Sequence, residues 1–124
     1  MIAMSASYTR SLRAEMSLLL LLLAAVLETV GDALVRAGLQ TAALRRAGLF
    51  AAGAVILFGY SVLVNTPKWE FGRLLGIYIV LFFVVSQVVA WVIFHEIPTT
   101  RLLIGGVLII SGGVVISWEM IARS

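Results

Sequence analysis

Four long apolar stretches, separated by short polar connections, account for most of the chain. The stretches cover residues 17–39, 47–65, 74–94 and 102–120. A helix needs about 20 residues to cross a hydrocarbon core of about 30 Å, and each stretch is close to that length. The pattern therefore predicts an all-α, four-transmembrane-helix bundle over residues 17–124, preceded by a polar extension over residues 1–16.

The composition supports a membrane protein and argues against several classes of function. Of the 124 residues, 62% are hydrophobic and 12% are charged, and the mean hydropathy is +1.13, which is too apolar for a soluble domain of this size. The net charge is +3, but the basic residues are scattered among the helix flanks and do not form the patch that a nucleic acid needs. The chain has no cysteine and one histidine, His95, so we expect neither a metal site nor a cofactor. We also find no nucleophile with a base at a usable spacing and no phosphate loop, so we do not expect an enzyme.

The distribution of positive charges leaves the orientation in the membrane open. Counted from Met1, five lysines and arginines lie on the side of the termini and the second connection, and four lie on the other side. Counted from Met16, which is a second candidate start, the numbers become three and four. The side with more positive charge stays in the cytoplasm, so the chain either inserts in both directions or is oriented by its amino-terminal end and the Arg45–Arg46 pair. A secretory signal is a weaker interpretation, because no clear small-x-small cleavage site follows the leucine run.

The first apolar stretch contains two acids at positions where a membrane helix is expected to face hydrocarbon. Glu28, Asp32 and Arg36 are spaced by four residues and therefore share one face of an α-helix. This spacing predicts an ion pair between Asp32 and Arg36, which leaves Glu28 without a basic partner. An unpaired charge at the bilayer centre costs at least about 2.5 kcal/mol, so we expect Glu28 to bind a proton. The alternatives are a neutral, structural Glu28 that is hydrogen-bonded to Ser86 or Gln87, and a Glu28 that lies closer to the membrane interface.

A carboxylate that is ionised only part of the time can bind a proton or an organic cation, but not both at full strength. Competition of this kind produces exchange, and nearby aromatic rings would strengthen cation binding. The alternative is that the aromatic side chains pack or lie at the membrane interface. The predicted substrate- and proton-binding residues are Glu28, Asp32, Tyr60, Tyr78, Ser86, Gln87 and Trp91.

Glycines in the fourth stretch indicate close contact between helices. Gly105 and Gly112 are seven residues apart, as are Gly106 and Gly113, so each pair lies along one face of the helix. Small residues allow helix backbones to approach closely. Packing within one chain and a contact between two copies both fit this pattern.

Two segments resemble the small multidrug resistance transporters of the drug/metabolite transporter superfamily. They are "LETVG" at residues 27–31 and "WVIFHEIPTTRLLIGGVLIISGGVVI" at residues 91–116. The resemblance implies a multi-pass protein of a bacterial-type inner membrane that forms antiparallel homodimers and exchanges protons for cationic compounds. It also implies that Glu28 is the coupling acid, with Gly31 as the small residue beside it. Tyr78 stands where the family has a binding tryptophan, and Gly105 with Gly112 match its dimer contact.

The chain departs from the family pattern at several of the positions that bind flat aromatic cations. Val55 and Leu75 stand where the family has binding tyrosines, and Val80 and Phe82 replace glycines of the third helix. Asp32 is an additional acid and favours a more polar cation. We therefore predict a proton-coupled antiporter that exports small organic cations of the guanidinium, amine or quaternary ammonium class.

The sequence is also compatible with two other functions. One is a four-span subunit of a lipid-linked sugar or lipid flippase, which would require a second, similar chain as a heterodimer partner and would show no proton stoichiometry. The other is a non-transport membrane assembly subunit whose glycines dock a partner, for which Glu28→Gln would remove no activity.

Overall fold

A computed structural model describes the backbone of residues 2–123 and the side chains of residues 8, 9, 12, 13 and 15–118. Met1 lies outside the described residues, as do the side chains of Arg10 and Arg123, which enter the charge count. The described chain forms four helices, α1 (Ile2–Leu39), α2 (Ala43–Val64), α3 (Phe71–Phe94) and α4 (Thr100–Arg123), and residues 2–123 contain no strand. Each helix contains a segment that is long and apolar enough to cross a membrane: Glu15–Leu39, Ala43–Val64, Phe71–Phe94 and Thr100–Trp118. The predicted all-α, four-helix architecture is confirmed, and the protein is an integral, multi-pass membrane protein.

Helix α1 begins well before the first apolar stretch. It starts at Ile2, so the polar residues before Ser17 continue the same helix. Residues 2–16 contain neither proline nor glycine, the two residues that most strongly break a helix. The change from polar to apolar residues therefore marks where the helix enters the membrane rather than where it begins.

Glycines bring α1 and α2 into close contact. A Cβ atom added at Gly31 would lie 2.7 Å from Leu57 Cγ, and one added at Gly53 would lie 3.1 Å from the carbonyl oxygen of Gly31. Farther along, a Cβ atom at Gly38 would lie 2.8 Å from the ring of Phe50. The two helices therefore pack closely where a glycine of one helix faces a side chain or the backbone of the other, as is common in membrane helices.

Helix α1 also packs against α3 and forms most of the buried core with it. The buried apolar side chains are Leu21, Ala24 and Ala25 of α1, Val64 of α2, and Leu74, Ile77 and Tyr78 of α3. Two of the three α1 residues are alanines, which allow the larger α3 side chains to lie close to the α1 backbone. The core is therefore centred on α1, with α2 and α3 packed against it.

Helix α4 packs against α3 through one of its two glycine pairs. A Cβ atom at Gly106 would lie 2.7 Å from the ring of Phe83, and one at Gly113 would overlap the side chain of Val80. Gly105 and Gly112 have nothing within 4 Å of the corresponding position in the described chain. Their predicted role in a dimer contact stays a prediction, and they lie on the face of α4 that is turned away from α3.

The carboxyl-terminal ends of α1 and α3 are each capped by specific hydrogen bonds. The guanidinium of Arg46 donates to the carbonyl oxygens of Gly38 at 3.1 Å and Leu39 at 3.4 Å, which satisfies two carbonyl groups at the end of α1. His95 ends α3 in the left-handed conformation, with φ of 56°, and its backbone N–H donates to the carbonyl of Ala90. Since alternate spans run in the same direction, α1 and α3 are parallel, and these two carboxyl-terminal ends lie on the same side of the membrane.

Candidate functional site

Glu28 lies in the middle of the first membrane span. It is within one residue of the midpoint of Glu15–Leu39. At about 1.5 Å per residue, its Cα atom is roughly 16 to 20 Å along the helix from either end of that span. The carboxyl group is therefore attached at the depth where a charge is most costly.

Side chains from three helices meet at the Glu28 carboxyl group. The hydroxyl of Tyr78, on α3, donates a hydrogen bond to Glu28 Oε2. Tyr60, on α2, has its ring centroid 5.7 Å from that of Tyr78, and its hydroxyl is close enough to interact electrostatically with Glu28. The ring of Phe82 lies 6.1 Å from that of Tyr78 and is stacked on it. We call Glu28, Tyr60, Tyr78 and Phe82 the Glu28 site.

The helical repeat of α3 explains why it presents these side chains to α1. Tyr78, Phe82 and Ser86 are spaced by four residues, so they follow one another along one side of α3. The aromatic pair is next to Glu28, and Ser86 lies farther toward the carboxyl-terminal end.

A cavity of about 270 Å³ lies between α1 and α3 on that side of the Glu28 site. We call it the α1–α3 cavity. Its lining residues are Thr29, Asp32, Ala33 and Arg36 of α1, Phe82, Ser86, Val89, Ala90 and Phe94 of α3, and Glu96 after α3. Phe82 belongs to both the Glu28 site and this cavity, so the two regions are adjacent.

The predicted ion pair between Asp32 and Arg36 is wrong. Both side chains line the α1–α3 cavity, but no ion pair joins them. The guanidinium carbon of Arg36 lies 5.6 Å from the ring centroid of Phe94, in a cation–π contact. A long arginine side chain near the end of a membrane helix extends toward the interface, and here that direction leads it to Phe94 and away from Asp32.

Two other predicted site residues lie away from Glu28. Gln87 is nine residues after Tyr78, so a rotation of about 100° per residue places it on the opposite face of α3. There it lines an apolar groove with Gly106 and Pro98. Trp91 is 61% exposed and is not among the residues around Glu28 or the α1–α3 cavity. We therefore leave Gln87 and Trp91 out of the site.

The hydrogen-bond partner of Glu28 also differs from the predicted alternative. Ser86 Oγ donates to the carbonyl oxygen of Phe83 at 2.8 Å and lines the α1–α3 cavity, and Gln87 faces α4. Tyr78 takes the position next to the carboxyl group that the alternative gave to Ser86 or Gln87.

Several cavity residues, among them Thr29, Phe94 and Glu96, were not predicted from the sequence as part of a site. Thr29 is buried and donates to the carbonyl of Ala25 at 2.7 Å, Phe94 contacts Arg36, and Glu96 lies in the connection after α3. The sequence does contain one indication that these residues meet. The first and third spans run in the same direction, so residues 29–36 lie beside the end of the third span. In the part of the chain that the structure describes, no three His, Asp or Glu side chains come together as a possible metal site.

Comparison with known proteins gives no match: neither a protein-family model, nor a curated protein, nor a solved structure is similar to this chain.

Proposed function

We propose that this protein is a proton-coupled antiporter of the small multidrug resistance type, which exports small organic cations across a bacterial inner membrane. The observation that carries the proposal is the position of Glu28. Its carboxyl group lies at mid-membrane depth among side chains of three helices, and within the described residues it forms no ion pair with a basic side chain. Acidic residues inside membrane spans are generally functional, because their burial is too costly to serve packing alone.

The surroundings of Glu28 favour binding of either a proton or a cation. The Tyr78 hydroxyl stabilises an ionised carboxylate, but a neutral donor supplies no counter-charge. A proton or an organic cation supplies that missing positive charge, and the presence of one excludes the other. The rings of Tyr60, Tyr78 and Phe82 add faces on which a guanidinium or ammonium group can lie.

The α1–α3 cavity supports a route between the Glu28 site and one side of the membrane. It contains Asp32, one helical turn or about 6 Å along α1 from Glu28. A second carboxylate in this direction attracts cations toward the site. It also favours polar cations over flat apolar ones, since part of the wall is charged.

The outer face of α4 supports assembly as a homodimer. Gly105 and Gly112 lie on the side of α4 that faces away from α3, and a Cβ atom at either position would have nothing within 4 Å in the described chain. A second copy could approach closely there, and an antiparallel arrangement is consistent with the small difference in positive charge between the two sides.

The test is exchange in proteoliposomes that are acidic inside. Uptake of guanidinium, putrescine and tetraethylammonium is followed together with the internal pH. The wild-type protein should take up at least one probe and release protons in return, and Glu28→Gln should do neither. Glu15→Gln is the matched control, because it makes the same substitution on the same helix at the end of the span, and it should behave as wild type. The proposal fails if no probe moves a proton through the wild-type protein, or if Glu28→Gln exchanges as fast as wild type.

A further inference from the structure

The α1–α3 cavity contains charges of both signs that do not neutralise each other directly. Asp32 and Arg36 are one turn apart on the same helix, which is a favourable spacing for an ion pair. Both line the cavity, yet no ion pair forms between them, and the guanidinium lies over the ring of Phe94 instead. Glu96, which also lines the cavity, is not paired with Arg36 either.

The charges follow a definite order from the membrane centre outward. Glu28 lies at the midpoint of the span, Asp32 is about 6 Å farther along α1, and Arg36 is another 6 Å beyond it. Arg36 is therefore roughly 13 Å from the midpoint of a hydrocarbon core that is about 30 Å thick, close to its boundary. On α1 the negative groups are deeper than the positive one, and Glu96, in the connection after α3, lies at the outer end of the cavity.

This order is unfavourable for a ligand whose charge is only positive. Such a ligand would be attracted by Glu28 and Asp32 but would have to lie near the guanidinium of Arg36. A ligand that also carries an acidic group would place its amine toward the two carboxylates and its acidic group on the guanidinium, the side chain that best matches carboxylate and phosphate geometry. The cavity volume of about 270 Å³ is near the lower end of the range for small-molecule sites, which limits the ligand to a small compound.

We propose that the preferred substrate is a small compound with an amine and an acidic group separated by a few bonds, and that Arg36 binds its acidic group. The inference rests on the proposed function and narrows its substrate class. Asp32 binds the amine first, and Glu28 then exchanges it for a proton.

The test compares 4-aminobutyrate with 4-aminobutyramide, which has the same amine and chain but an uncharged amide in place of the carboxylate. Calorimetric titration of the purified protein, in nanodiscs of phosphatidylglycerol, gives the two dissociation constants. Wild type should bind 4-aminobutyrate at least about tenfold more tightly, a difference of about 1.4 kcal/mol. Arg36→Gln should abolish this preference while it leaves 4-aminobutyramide binding unchanged or stronger, and Arg36→Lys should retain part of it.

Arg45→Gln is the matched control, since it removes a positive charge near the same membrane surface from a residue that does not line the cavity. It should keep the wild-type preference. The inference is overturned if wild type binds the two probes equally, if it binds the amide more tightly, or if the preference survives in Arg36→Gln.

A lipid headgroup could supply the same chemistry, because phosphatidylethanolamine carries an amine beside a phosphate. The titration is therefore repeated in nanodiscs in which half of the lipid is phosphatidylethanolamine. Weaker 4-aminobutyrate binding there, dependent on Arg36, would show that the headgroup occupies the same site. Unchanged binding would show that a soluble compound is the ligand, and both results support the proposed pairing of charges.

Failure of this inference is distinguishable from failure of the proposed function. If guanidinium or putrescine is exchanged for protons through Glu28 but the carboxylate gives no advantage, the substrate class is wrong and the antiporter remains supported. If no cation in either set moves a proton, the proposed function itself is wrong.

Discussion

Replacement of Gly31 by alanine should separate α1 from α2 and disturb the Glu28 site. The added Cβ atom would lie 2.7 Å from Leu57 Cγ and 2.8 Å from Leu57 Cδ2. It would also lie 3.4 Å from the carbonyl oxygen of Gly53, so the backbone of α2 lies directly beside the added atom. Tyr60 is three residues after Leu57 on α2, and displacement of this helix would therefore move Tyr60 relative to Glu28.

The expected loss of stability follows from the overlap between the added Cβ atom and the side chain of Leu57. Carbon atoms in favourable contact are about 3.5 to 4.0 Å apart, so relief of the contact requires a shift of about 1 Å at the branch point of Leu57. Overpacking of this kind typically costs about 1 to 3 kcal/mol. We expect Gly31→Ala to lower the free energy of unfolding by about 2 kcal/mol and to slow cation exchange in proteoliposomes.

The assay is unfolding in mixed detergent micelles, followed by circular dichroism, with exchange measured on the same preparations. Gly59→Ala is the matched control on α2, because nothing lies within 4 Å of the added atom, and it should lower neither quantity. The double variant Gly31→Ala, Leu57→Ala should recover part of the exchange activity, since the smaller side chain removes the overlap. An unfolding free energy and exchange rate equal to those of wild type in Gly31→Ala would refute the close packing of α1 and α2 at this position.

Three further predictions concern the Glu28 site, the outer face of α4 and the end of α1. Tyr78→Phe keeps the ring but removes the hydroxyl that donates to Glu28, so exchange should slow, and the free energy of unfolding should fall by about 1 kcal/mol in the micelle assay. Gly113→Ala should destabilise the single chain because its Cβ would overlap a side chain of α3. Gly112→Ala should do so only when the protein concentration is high enough for copies to associate, as measured by unfolding at several dilutions. Arg46→Gln should lower the free energy of unfolding by about 1 kcal/mol, through loss of the bonds to the last carbonyls of α1, and should increase amide hydrogen exchange at that helix end. Wild-type behaviour of Tyr78→Phe, Gly113→Ala or Arg46→Gln would contradict the contact that the variant removes or disturbs. Wild-type behaviour of Gly112→Ala at every protein concentration would contradict a dimer contact at that glycine.

The number and type of the helices could be predicted from the sequence, because the length of an apolar stretch is fixed by the thickness of the membrane. The start of α1 could not, since hydropathy reports where a helix enters the hydrocarbon and a polar helix can precede that point. The glycine pattern of α4 predicted two distinct faces. It did not determine which face packs against α3, because Gly105 with Gly112 and Gly106 with Gly113 have the same spacing.

Part of the Glu28 site could also be predicted from the sequence. Glu28 was identified from its charge and depth, and Tyr60 and Tyr78 from their chemistry, and the structure brings these three together. Gln87 was included for its chemistry alone, although nine helical positions after Tyr78 place it on the opposite face. The contact between Arg36 and Phe94 could not be predicted, since the two residues are far apart in the chain and meet only through the packing of α1 against α3.

The central claim is that the carboxyl group of Glu28 binds a proton or a cation, but not both. It is tested most directly by measurement of the protons released when guanidinium, putrescine or tetraethylammonium is added to solubilised protein in a weakly buffered solution that contains a pH indicator. The wild-type protein and the Glu15→Gln control should release protons in proportion to the cation bound, and Glu28→Gln should release none. Cation binding by the wild-type protein without proton release, or equal release from Glu28→Gln, would contradict the claim.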